Sequence, residues 1–184
     1  MKLFQNRVFA VFLAVLVVIG STILNTDVKF GRKCSEVSGQ FYADLTRGGS
    51  PDSISGQLVN ILSDSESLSA LAARYGADTK TLDEANSQLR SRLTAKLGAS
   101  YVYVSYNKLC SALTSLMGQL ANSPLSEQDS AEVTRCADSI AEAQNAITMS
   151  DYNSVVRSFL HRYDRFPTNV LAKLAGVDMP ETFA

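Results

Sequence analysis

The chain has 184 residues, seventeen basic and eighteen acidic, with one histidine, three cysteines and no tryptophan. Every acidic side chain lies beyond residue 26, together with all the basic ones except Lys2 and Arg7, so that part carries a net charge of −3 and no basic patch. Phosphate binding needs clustered Lys and Arg, which argues against a nucleic-acid partner. One histidine removes the usual His-rich zinc sites, and no nucleophile elbow, phosphate loop or dinucleotide fingerprint is present, so the expectation is a non-enzyme without cofactor or metal.

In chain order, the first feature is the run Val8–Leu24, VFAVFLAVLVVIGSTIL, uncharged and with only Ser21 and Thr22 polar. A helix hydrogen-bonds its own backbone, so a bilayer accepts such a stretch. Seventeen residues rise roughly 25 Å, slightly short of a hydrocarbon core of about 30 Å, and the stem of Arg7 would snorkel to the interface. A cleaved signal peptide ending at Gly20 is the rival reading, but the A-x-A pattern is absent and Ile23 and Leu24 continue the run. A buried core helix is the third. The expectation is an N-terminal transmembrane anchor over residues 1–26, with residues 8–24 in the lipid bilayer, and a helical domain over residues 27–184. Two basic residues precede the span and Lys29, Arg32 and Lys33 follow it, so the positive-inside rule does not orient it. A short basic start before a polar domain points to a single-pass cell-membrane protein with its domain outside the cytoplasm.

Ala, Leu, Ser and Gln dominate the remainder, which suits helices. The first helix is expected from Asp27 to Leu45, ended by Arg47-Gly48-Gly49-Ser50-Pro51. Ser50-Pro51 opens a second, with Ile54, Leu58, Ile61, Leu62, Leu68, Leu71 and Tyr75 at helical spacing and Gly76 as its stop. A third starts at Asp78 or Thr79, with Thr81 and Glu84 as a capping box. Its stripe runs Leu82, Ala85, Leu89, Leu93, Leu97, Tyr101, Val104, Leu109, Leu113, Leu116 and Leu120, which implies a rod of roughly 60 Å interrupted at most locally at Gly98. Ser123-Pro124 opens the fourth, carrying Val133, Cys136, Ile140, Ala143, Ile147, Tyr152, Val155, Phe159 and Tyr163 as far as Phe166. A short turn of helix follows from Thr168 to Ala175, closed at Gly176. Long helices with short connections predict an all-α, elongated antiparallel helical bundle behind one transmembrane helix.

Cys110 and Cys136 flank the Asn122-Ser123-Pro124 turn symmetrically. If two antiparallel helices meet there, the thiols stand at one height. A disulfide is then possible if both face the seam, and two buried thiols are the alternative. Cys34, near the membrane, is a free thiol or a palmitoylation candidate.

The last third carries a specific pattern: Asp151-Tyr152-Asn153, Val155-Val156, Phe159, Arg165-Phe166-Pro167-Thr168-Asn169-Val170-Leu171-Ala172, Gly176 and Phe183. This resembles the C-terminal signature of the LemA family, with its Tyr-Asn pair, a later Phe-Pro-x-Asn segment, a glycine and a final aromatic. Ile147-Thr148-Met149-Ser150 stands where that family has an arginine-rich run. Ser55-Gly56-Gln57-Leu58-Val59 keeps only the Leu-Val of its Ile-Pro-Asn-Leu-Val motif. The resemblance implies a divergent member, a helical bundle and membrane attachment. In physical terms Tyr152, Asn153, Phe166, Pro167, Asn169 and Gly176 form a C-terminal latch, with Val170, Leu171 and Leu174 folding back on the bundle.

Taken together, these features predict a structural or protein-interaction module that meets another protein or a second copy of itself. The alternative is an extracytoplasmic ligand-binding bundle with Tyr101, Tyr103, Tyr106 and Tyr152 lining a cleft. His161 lies among Arg162, Asp164 and Arg165 and reads as an exposed or salt-bridged residue rather than a base.

Overall fold

The computed structural model describes residues 30–42, 53–163, 168–174 and 176–184. The expected anchor, the Arg47–Pro51 break, Phe166, Pro167 and the Asn169 side chain lie outside the described residues. Among those described, every regular element is a helix: α1 over residues 30–42, α2 Ile54–Arg74, α3 Lys80–Thr94, α4 Ala99–Leu120, α5 Glu127–Met149, α6 Tyr152–Tyr163 and α7 Thr168–Leu174. None of these is long and apolar enough to cross a membrane.

The helix ends follow from local chemistry. Ser53 caps α2, its hydroxyl accepting from the Gly56 amide at 3.0 Å, and Ser126 caps α5 by accepting from Asp129 at 3.1 Å. The serine of each expected Ser-Pro pair is therefore not the cap; the serine three residues on is. Thr81 and Glu84 form no capping box, because α3 has already begun and Thr79 donates to the Asp83 carboxylate instead.

At the C-terminal end of α2, Gly76 sits at φ +72°; its amide bonds Ala73 O, and the Ala77 amide bonds Ala72 O. Gly176 closes α7 in the same way at φ +67°, through Lys173 O and Ala172 O. These crossed pairs satisfy carbonyls left free by the last turn.

The 60 Å rod does not exist. Lys96 adopts φ 49° and repeats the crossed pair, Lys96 N to Leu93 O and Leu97 N to Arg92 O, so the chain turns back between α3 and α4. Leu97, Tyr101 and Val104, assigned to the core stripe, are 41%, 59% and 50% exposed. The buried face of α4 is instead Val102, Ser105, Leu109, Ala112, Leu113, Leu116 and Leu120.

The fourth expected helix is also two. Ser150 is extended at φ −64°, ψ 134°, its hydroxyl accepting from the Tyr152 amide at 3.3 Å. Buried positions advance by three or four through Cys136, Ile140 and Ala143, and again through Tyr152, Val156 and Phe159. The step of five from half-buried Ile147 to Tyr152 would turn the stripe off the core in one continuous helix. The break restores the phase.

Polar cross-links set the register. Arg74 and Tyr75 meet Asp129, and Asp64 meets Arg135 and Ser139, so α2 and α5 run antiparallel. Ser65 with Asn86 and Ser69 with Asp83 order α2 against α3; Gln88 with Lys108 orders α3 against α4. The core they enclose centres on Leu58, Ile61, Leu68, Leu82, Leu89, Leu109, Leu116 and Leu120. A second cluster joins Phe30 and Cys34 of α1 to Phe159 of α6 and Ala172 of α7.

Candidate functional site

Beyond α7 the chain crosses the bundle without forming another helix, and Phe183 at its end is 4% exposed. Its ring lies 5.5 Å from Phe41, 5.6 Å from Tyr106 and 5.1 Å edge-on from Tyr103. Phe41 in turn packs 5.5 Å from Tyr152. Helices α1, α4 and α6 thus each contribute aromatic surface to one cage. Edge-on and tilted contacts suit rings with negative faces and positive rims.

The polar contacts go to the main chain of this strap. Asn153 uses both ends of its carboxamide: Nδ2 donates to Phe183 O at 2.9 Å, and Oδ1 accepts from Phe183 N at 2.7 Å. The Tyr152 hydroxyl donates to Glu181 O at 2.9 Å. The Glu181 carboxylate accepts from both the amide and the hydroxyl of Ser100 at the start of α4. Gly98, the cap of α4, has no side chain of its own to offer, and a Cβ there would collide with that carboxylate. Negative charge at a helix N-terminus is favourable. The strap therefore caps α4 from outside.

Of the residues in the latch reading, Tyr152 and Asn153 bond the main chain of the strap, and Gly176 lies where the chain leaves α7. For Val170 and Leu174 the expected return onto the bundle is corrected, and the Leu171 side chain lies outside the described residues. Val170 and Leu174 are 45% and 66% exposed, and Ala172, Val177 and Met179 face the bundle instead. The sequence gives no sign of Gly98 and Glu181 as partners, because their contact spans more than eighty positions between unpatterned loops.

The four tyrosines do not line one open cleft. Tyr103 and Tyr106 pack on Phe183, and Tyr152 on Phe41 and the Glu181 carbonyl, whereas Tyr101 is exposed and lines a groove of about 860 Å³ with Leu160, Met179 and Glu181. Burial pushes Tyr152 and Tyr42 up to about 12 and Tyr106 higher still. All stay neutral at ordinary pH. Tyr42 donates to Leu97 O at 2.6 Å, tying α1 to the turn between α3 and α4.

Cys34, Cys110 and Cys136 are free thiols. The bridge considered between the last two is not formed, because α5 packs along α2. Cys110 faces Gln144, at 3.4 Å, eight residues beyond Cys136 and thus about 12 Å along the helix. Cys136 is fully buried beside Arg135 and Glu132. Burial raises all three, Cys136 to about 11, so none is a ready thiolate. His161 is exposed on α6.

The second polar cluster is structural. Tyr75, Ser126 and Arg74 surround Asp129 and hold its carboxyl below the usual carboxylate range, the Tyr75 hydroxyl contributing most. Among known proteins, no family model, curated sequence or solved structure matches this chain.

Proposed function

We propose that the chain is a single-pass membrane protein whose helical bundle serves as a structural, protein-interaction module, with residues 8–24 as its anchor and a divergent kinship to the LemA family. The uncharged run Val8–Leu24 ahead of a helical bundle carries the membrane part of this reading. The interaction part draws support from Leu97 in the turn before α4 and from Tyr101 and Val104 on α4, large apolar side chains that are exposed. The kinship draws support from Tyr152, Asn153 and Phe183, residues of the quoted signature that touch one another through the strap.

A photo-crosslinking residue in place of Tyr101, activated in intact membranes, tests it. The expected product is a discrete adduct of fixed mass that disappears when residues 1–26 are deleted. No adduct from the full chain, or an undiminished adduct from the deleted one, overturns the reading.

A further inference from the structure

The pocket that holds Phe183 is filled by a segment of the chain without regular secondary structure. Asn153 reads one amide and one carbonyl of the same residue, and Tyr152 reads a carbonyl two residues earlier. These groups are common to any extended chain, and the aromatic ring between them supplies the selectivity. Beyond Val177, no main-chain-to-main-chain hydrogen bond ties the strap to the bundle among the described residues. The strap leaves α7 at Gly176, whose backbone is left-handed at φ +67° and beside which a Cβ would meet nothing within 4 Å. The Phe183 ring thus belongs to the core, while among the described residues the strap's main chain beyond Val177 is held by side chains of α6 alone.

We propose that the pocket formed by Phe41, Tyr103, Tyr106, Tyr152 and Asn153 is a peptide-binding site whose ligand in trans is the 177–184 segment of a second copy, exchanged about Gly176. The occupant is fixed by the one complementarity the structure displays. Glu181 lands on the bare N-terminus of α4, in the space that Gly98 leaves open, while Phe183 fills the cage. A second copy brings the same segment to the same contacts, so exchange requires no new interface. The inference rests on the reading of the chain as a membrane-attached interaction module, since confinement to a bilayer raises the local concentration of copies against the tethered strap.

Two full-length variants test it, each with a different affinity tag and co-expressed in membranes. Phe183→Ala keeps the pocket and loses the ligand ring; Asn153→Ala keeps the ligand and loses the clamp. Together they contain one complete site between two copies. The mixed pair is expected to co-purify at least tenfold more than a pair of Asn153→Ala/Phe183→Ala double variants. A peptide of residues 177–184 should compete, and the same peptide with alanine at the phenylalanine should not.

Equal recovery of the mixed and double-variant pairs, with both proteins helical by circular dichroism, overturns the exchange. It leaves the module reading standing if the Tyr101 crosslink persists, whereas loss of that crosslink condemns the module reading as well. If Asn153→Ala does not fold, Asn153→Asp takes its place, keeping the acceptor for the Phe183 amide while removing the donor. Competition by the alanine peptide equal to that of the native one also overturns the proposal.

Discussion

Asn153 and Tyr152 divide the work of holding the strap between a main-chain clamp and a buried phenol. A carboxamide offers one donor side and one acceptor side in a plane, so it pairs with a residue's carbonyl and amide as a neighbouring strand would. An aspartate there would present a second acceptor to the Phe183 carbonyl.

The phenol adds a dependence on pH. In the unfolded chain Tyr152 loses its proton near pH 10, whereas burial holds the folded group to about 12. Between those values the folded state keeps a proton that the unfolded state has released. Linkage then requires stability to be fully present below pH 10 and to fall as pH rises towards 12. Tyr42, also held up to about 12, acts in the same sense. Melting temperatures measured from pH 9 to 12 should therefore decline, and Tyr152→Phe should flatten part of that decline while losing the bond to Glu181 O. An unchanged alkaline slope in the variant would show that the phenol ionises freely in the folded protein.

At the scale of elements, the helix ends separate what the sequence announces from what it conceals. Gly76 and Gly176 mark their stops openly, because glycine enters the left-handed region without a steric penalty. Lys96 makes the same turn without such a mark, and the leucines at 89, 93 and 97 keep a helical interval straight across it. Periodicity alone could not distinguish a rod from a hairpin there. The break at Ser150 was legible in principle, since the interval from Ile147 to Tyr152 is out of phase. Its reason is tertiary: two short stripes fit the bundle where one long stripe would rotate away.

A left-handed backbone costs a residue with a Cβ about 1–2 kcal/mol. Lys96→Gly is therefore expected to stabilise the protein by about 1 kcal/mol, and Gly76→Ala, at φ +72°, to destabilise it by a similar amount. Urea melts of the two variants check both signs. A loss of stability in Lys96→Gly would mean that the lysine side chain contributes more than its backbone strain takes away.

At the scale of the molecule, the strap joins parts that the helical bundle alone leaves loosely connected. Phe41 of α1 meets Phe183 and Tyr152, while Phe30, also of α1, stacks on Phe159 at 5.8 Å and Cys34 packs near Ala172 of α7. Helix α1 is thus held largely by the C-terminal elements, whereas α2, α3, α4 and α5 hold one another through the central leucines. That central bundle was the part most readable from its apolar intervals. The docking of α1 and the strap was readable only as a latch motif, since its contacts are main-chain hydrogen bonds and ring packing between distant positions.

If α1 and the strap are one cooperative unit, opening either should expose both, because local unfolding proceeds in contiguous units. Phe183→Ala should then speed amide exchange throughout residues 30–42 and 177–184 together, on the order of tenfold for each 1.4 kcal/mol of docking lost. Leu58, Ile61 and Leu68 of α2 should keep their protection. Exchange that accelerates in the strap alone would show that α1 is secured independently. Uniform acceleration across α2 would show instead that Phe183 and the central leucines open as one unit, and the strap would lose its standing as a separable ligand.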